Sequence, residues 1–171
     1  MSAFAISTCI ASLAIFAGWL ALSIHRFGWL HSYSAYAAKW TEFLYIDSTT
    51  HAWSIVTMVV AFLLVYPMLE MGDESPLQFL GFFAPVYLGV VALTPEWETK
   101  RRQKVVHYIG TALCATATVL WLVLALRLWY YLAIAFGAMW VAAWVTKTVK
   151  SSYILWLELT LFAAVYAAVL T

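Results

Sequence analysis

Six stretches of this chain run almost free of charge: Ser2–Ile24, Trp53–Leu69, Pro76–Thr94, Val105–Leu126, Trp129–Thr146 and Tyr153–Leu170. A helix crossing the hydrocarbon of a bilayer needs about 20 mostly apolar residues, with a range of about 17–25. Every stretch falls near that range. Helix is the conformation they require, because an open sheet in lipid leaves backbone N–H and C=O groups unpaired, and none of the runs alternates as barrel strands do. The expectation is therefore an all-α, polytopic transmembrane bundle of about six helices, forming a single transmembrane domain over residues 1–171. No repeat or second domain is visible.

Composition removes the soluble alternative. The chain is 65% hydrophobic and 10% charged, against about 45–50% and about 25% for a soluble domain. A formal charge of +1 with no basic stripe excludes a nucleic-acid partner. Trp and Tyr read instead as interfacial anchors. Cys9 and Cys114 lie inside apolar runs and read as small core residues. The first run lacks a basic leader and exceeds the about 7–15 residues of a signal's apolar region, so it reads as a first span.

Boundaries carry their own signals. Gly72 with Asp73, Glu74 and Ser75 makes a turn, and Pro76 suits the first turn of the third span. Pro85 is expected to kink that span and Pro95 to end it. The connection at Leu128–Trp129 is so short that the fourth and fifth spans are expected to form a tight antiparallel hairpin.

Basic residues give the orientation. Arg26, Lys39, Lys100, Arg101, Arg102, Lys104, Lys147 and Lys150, eight in all, fall in loops one, three and five, whereas loops two and four hold only Arg127. The positive-inside rule puts the eight in the cytoplasm. Both termini are then non-cytoplasmic, in a cell membrane of the inner or plasma type, with the lipid bilayer as the first partner and a membrane-protein partner or homo-oligomer as further options.

Loop one, residues 25–52, is long and aromatic. Phe27, Leu30, Ser34, Ala37, Trp40 and Leu44 recur at helical spacing, with Lys39 and Glu42 off the stripe. Such a segment either lies in the headgroup plane, the commoner arrangement, or dips back among the spans.

Ionisable groups inside a span are costly and so are functional candidates. Glu158 is the acid within a span, five residues after Tyr153, or about 7–8 Å below the start of the last helix. It reads either as a polar clamp between helices or as a proton-handling or ligand-binding group. His107 opens the fourth span, followed on one face by Thr111, Cys114 and Thr118. That small, weakly polar face is expected to pack against protein, leaving Leu113, Leu120 and Leu124 to lipid. Ser32, Ser34, Tyr36, Asp47, His51, Glu96 and Glu98 belong to the same cytoplasmic level. Glu158 and His107 are expected in one polar cluster there, with loop one above them and the Tyr36 or Tyr108 phenols as donors.

Three elements resemble those of a family of short uncharacterised bacterial multi-pass membrane proteins. Ser32–Tyr36 within Gly28–Tyr36 is similar to an S-x-S-A-x-Y element, Val106–Ala112 to V-H-Y-I-G-x-A, and Trp156–Glu158 to W-x-E. Tyr33 stands where that family usually has Ile, and Ala37 where it has an aromatic residue. The likeness implies a fold and a choice of residues without a reaction. A remoter resemblance is to the superfamily of membrane hydrolases that includes alkaline ceramidases and adiponectin-type receptors. It implies a zinc site, for which Asp47, His51 and His107 are the metal candidates and Ser34 the nucleophilic one, though the late His-x-x-x-His pair and a seventh span are missing.

The candidate residues are then His107, Glu158 and Ser34 for catalysis, and Ser32, Tyr36 and Tyr108 for ligand binding. The first functional expectation is a binding, scaffold or membrane-complex component without a cofactor. The alternative is a lipid-acting, metal-dependent hydrolase with zinc at the cytoplasmic end.

Overall fold

A computed structural model describes residues 1–44, 52–94 and 100–171. Asp47, His51, Pro95, Glu96 and Glu98 lie outside the described residues. Within them the chain is all-helical: α1 Ala3–Phe27, α2 Ala35–Leu44, α3 Ala52–Met71, α4 Phe79–Ala92, α5 Arg101–Leu120 continued by a π turn Trp121–Ala125, α6 Trp129–Val145 and α7 Tyr153–Leu170. Four are long and apolar enough to cross a membrane, namely α1, α3, α5 with its π turn, and α7. α4 and α6 are shorter apolar helices of 14 and 17 residues.

Local chemistry sets several boundaries. The Ser2 hydroxyl accepts the Ala5 N–H at 3.2 Å, which satisfies one of the donors left over at the start of α1. At the other end Gly28, with φ +73°, returns its N–H to the Ile24 carbonyl at 2.8 Å. That positive φ suits glycine and turns the chain sharply out of α1. His25 and Arg26 sit in the last turn, where the helix dipole favours cations. α6 ends in a Schellman motif: Thr148 N–H reaches the Ala143 carbonyl at 3.0 Å and Lys147 N–H the Trp144 carbonyl at 3.1 Å. Lys147 occupies its left-handed position, φ +57°.

α1, α3, α4 and α5 pack in succession, each against its neighbour in that order, and α6 packs chiefly on α7. α7 is the hub. It buries Leu155, Trp156, Leu159, Ala164, Val165 and Tyr166 among others, whereas α6 buries only Ala135 and Ala143. Ser12 ties α1, α3 and α7 together, its hydroxyl 3.2 Å from the Val60 carbonyl and 2.9 Å from the Tyr166 hydroxyl. Bonds of this kind between helices in membranes contribute about 0.6 kcal/mol on average. Phe16 of α1 stacks on Phe162 of α7 with centroids 4.1 Å apart. Outward positions are apolar and bare: Phe62 is 79% exposed and Trp144 74%. Water does not tolerate such a surface and lipid does.

One expectation is corrected. The turn after α5 is short, but α5 and α6 do not run together as a hairpin. The π turn, closed by Leu128 N–H on the Leu122 carbonyl at 2.8 Å, and a left-handed Arg127 at φ +56° send α6 away from α5 and onto α7. The described part of loop one packs on the bundle. Residues 32–37 are all buried, and α2 turns Tyr36, Ala37 and Trp40 inward while Lys39 and Glu42 stay out. The aromatic stripe explains this, because Trp40 has partners to reach. Its indole N–H donates to Ser23 at 2.8 Å, and its ring meets Trp19 at 4.7 Å and Phe27 edge-on at 5.1 Å. The face of α5 predicted to meet protein does so: Thr118 is buried, Thr111 and Cys114 partly so, and Leu113, Leu120 and Leu124 are exposed.

α4 approaches α3 most closely at Gly81. A Cβ there would lie 2.7 Å from the Met68 carbonyl oxygen and 2.8 Å from Nε1 of the fully buried Trp121. Neither backbone nor a packed indole can yield easily. Gly81→Ala is therefore expected to lower thermal stability in detergent by about 1–3 kcal/mol, the usual cost of overpacking. Gly137→Ala, where nothing lies within 4 Å, is the control. Equal melting temperatures for the two variants would refute this packing.

Candidate functional site

The side chains at the start of α7 hold the segment between α1 and α2. Trp156 stacks on Trp29 with centroids 4.9 Å apart, and its indole N–H donates to Thr148 at 2.9 Å. The Leu155 N–H donates to the His31 carbonyl at 2.9 Å. Glu158 completes the clamp, its Oε2 accepting the Tyr33 N–H at 2.6 Å. Leu155 is one of the first residues of α7, whose N–H lacks an acceptor within the helix, so the loop carbonyl fills a need that the helix end creates.

The clamped segment is internally braced. Ser32 accepts the Ala35 N–H at 3.2 Å and so caps α2, while its oxygen lies 3.2 Å from that of Ser34. The Tyr36 hydroxyl donates to the Gly28 carbonyl at 2.8 Å and receives the Leu30 N–H at 3.3 Å. Tyr33 packs its ring against Phe16 at 5.3 Å and Trp53 at 5.5 Å, and its hydroxyl meets Thr57 at 3.2 Å. Burial pushes the Tyr33 phenol well above its ordinary range, with the Thr57 hydroxyl opposing and the Glu158 charge adding to the rise. Burial likewise raises Tyr36, against the Leu30 N–H. Both phenols therefore stay protonated at neutral pH and serve as donors.

Beneath this segment lies a cavity of about 90 Å³. Tyr33 and Ser34 close it on the loop side, Leu64 and Met68 of α3 and Pro85 and Leu88 of α4 on another. Thr111, Cys114 and Thr118 form the α5 wall, with Glu158, Leu161 and Phe162 opposite on α7. Glu158 is half-buried and lines this space. Pro85 has no N–H, so the Gly81 carbonyl lacks its usual helical donor here. The lining is otherwise mainly apolar, and what it offers chemically is one carboxyl among a few small hydroxyls and the Cys114 thiol.

His107 occupies a different position. It is buried, and its Nδ1 lies 3.1 Å from the Thr94 hydroxyl, linking the start of α5 to the end of α4. Glu158 accepts the Tyr33 N–H, and the His107 ring meets the Thr94 hydroxyl. Tyr108 is 52% exposed, edge-on to the His107 ring at 6.2 Å and beneath Lys104 at 5.8 Å, so it faces away from Glu158. The Tyr36 phenol serves Gly28 and not Glu158. The donor that Glu158 uses is a backbone N–H, which no residue type announces in a sequence. Among the described residues no group of three His, Cys, Asp or Glu side chains is placed to hold a metal ion. His107 is the described member of the proposed metal set, Asp47 and His51 lying outside.

The structure brings Ser32–Tyr36 and Trp156–Glu158 together through the Tyr33–Glu158 bond, and Thr111 of Val106–Ala112 lines the same cavity from α5. No protein-family model, no curated protein and no solved structure matches the chain.

The clamp makes a prediction about Glu158. Glu158→Gln keeps an acceptor for the Tyr33 N–H and is expected to leave the melting temperature in detergent nearly unchanged. Glu158→Leu strands that N–H in the interior and is expected to cost about 1–3 kcal/mol. A leucine variant as stable as the parent would show that the bond does not hold the loop.

Proposed function

We propose that this chain is a six-span integral protein of the inner or plasma membrane that binds a small lipophilic molecule in the cavity beneath loop one. On this reading it is a binding component, either alone or within a membrane complex, and both termini are non-cytoplasmic. The observation that carries it is the cavity itself: an apolar space walled by α3, α4, α5, α7 and the clamped loop, with one carboxyl on its lining.

Contacts at the two ends of the helices support the topology. At one end Ser2 bonds Glu70, and Tyr131 bonds Thr171. At the other, His31 meets Leu155 and Thr94 meets His107. Those pairings are what six helices alternating in direction require, and the eight loop Lys and Arg belong with the second end. α4 and α6 extend about 21 and 26 Å at 1.5 Å per residue. A bilayer thins locally around short spans at modest cost, and the turn at residues 76–78 lengthens α4 further.

The hydrolase alternative asks for a serine beside a base and for a metal. Here Ser34 pairs with Ser32 and the His107 ring with Thr94. Ser34 and Glu158 both line the cavity, and what its mainly apolar lining supports first is binding.

Two measurements test the reading. With Cys9 and Cys114 first replaced, Asp73→Cys is expected to react with an impermeant thiol reagent on intact cells and Lys100→Cys to be protected. The reverse pattern would overturn the orientation. Cavity filling by Cys114→Trp is expected to abolish binding of octyl-chain amphiphiles to the purified protein, as counted by native mass spectrometry. Undiminished binding would remove the cavity from the account.

A further inference from the structure

The chemistry of the cavity lining selects its occupant, given that the cavity is a binding site at all. A half-buried carboxyl in a largely aliphatic wall needs donors. Glu158 Oε2 takes the Tyr33 N–H at 2.6 Å, and no second donor reaches the carboxyl among the described residues. Among the described residues no salt bridge reaches it either; Lys39 pairs with Glu42 on the exterior.

The neighbouring hydroxyls do not supply what is missing. Thr111 donates its O–H to the His107 carbonyl at 2.9 Å, and Thr118 donates to the Cys114 carbonyl at 2.8 Å. Both hydrogens are used within α5, so these oxygens turn only lone pairs to the cavity. Ser34 shares a hydrogen bond with Ser32, in which either oxygen can be the donor. The lining is thus rich in acceptors and poor in donors. Phosphate, carboxylate and ester heads need the opposite.

A path for an apolar chain lies beside it. Leu161 lines both the cavity and a groove along α6 and α7 formed with Leu132, Phe136 and Leu157. α6 diverges from α5, which leaves that flank open. A head seated at Glu158 can therefore extend its tail past Leu161 toward the bilayer.

We infer that the cavity takes the head of a cationic amphiphile, a protonated aliphatic amine whose ammonium is held by Glu158 and whose chain leaves along the α6–α7 groove. An ammonium has three donors and no acceptor, which matches this lining, and its charge neutralises the one carboxyl in the wall. The inference rests on the binding reading above and adds the sign and hydrogen-bonding of the head.

The test compares octylamine, octanol and octanoate on the full-length protein in a non-ionic detergent at neutral pH, by native mass spectrometry and thermal shift. Octylamine is expected to bind most tightly, with Glu158→Gln weakening it by about tenfold or more, the loss of one charge-assisted hydrogen bond. Octanol is expected to change little between the two proteins. Because glutamine still accepts the Tyr33 N–H, an unchanged melting temperature in the free variant separates loss of charge from loss of fold; should that variant unfold, Glu158→Asp replaces it and is expected to restore a preference for the amine. Octanol or octanoate binding as tightly as octylamine, or equal amine affinity in parent and variant, would overturn the cationic inference while leaving the cavity reading intact. Failure of all three to bind, or binding indifferent to Cys114→Trp, would overturn both.

Discussion

The hydrogen bond from the Tyr33 backbone N–H to the Glu158 carboxyl joins two parts of the molecule that lie 125 residues apart in sequence. A backbone donor in a buried segment has to be satisfied within the protein, because lipid offers nothing to it. Loop one enters the bundle without becoming a span, so its amides cannot all find helical partners. The first turns of α7 meet that need with the Glu158 carboxyl, while the His31 carbonyl in return accepts the Leu155 amide. Trp156 adds a stacked surface for Trp29. These three contacts lie within four residues of α7, which makes the start of that helix a receptor for the loop.

The remaining architecture follows from where α7 stands. It contacts α1 through Ser12 and Phe16, shares the cavity with α4 and α5, and carries α6 on its outer side. α5 meets α7 only lightly, and the space left between them is the cavity. Small side chains on the α5 face keep that space open: Thr111, Cys114 and Ala115 do not fill what leucines would. Gly81 and Gly110 act in the opposite sense, letting α4 close against α3 and α5. Packing is tight on one side of the bundle and deliberately loose on the other, and Glu158 faces the loose side.

Much of this was legible in the residues and some was not. Apolar length located the helices, since burying a charge-free run of that size in lipid leaves few options. Spacing also placed Thr111, Cys114 and Thr118 on a protein-facing side of α5, because period is a property of the helix itself. The depth of loop one was not legible. Its stripe of Ala37 and Trp40 fits a headgroup surface and a protein groove equally, and the choice is made by Trp19, Ser23 and Trp156, which are distant in sequence. Glu158 is recognisable as costly, but the donors visible in the residues are an imidazole, serine hydroxyls and phenols. Backbone amides carry no residue signature, so a carboxyl that answers one cannot be paired with it by inspection. The divergence of α6 was hidden for a related reason, since a π turn and a left-handed arginine leave no periodic trace.

The most direct test of the clamp is amide hydrogen exchange on the protein in bilayer nanodiscs, resolved over residues 30–37 and 153–158. The account predicts that Tyr33 and Leu155 exchange as slowly as amides in the middle of α3, because each is bonded across the loop–helix junction and buried from water. Exchange of both within seconds, at the rate of an exposed loop, would contradict it.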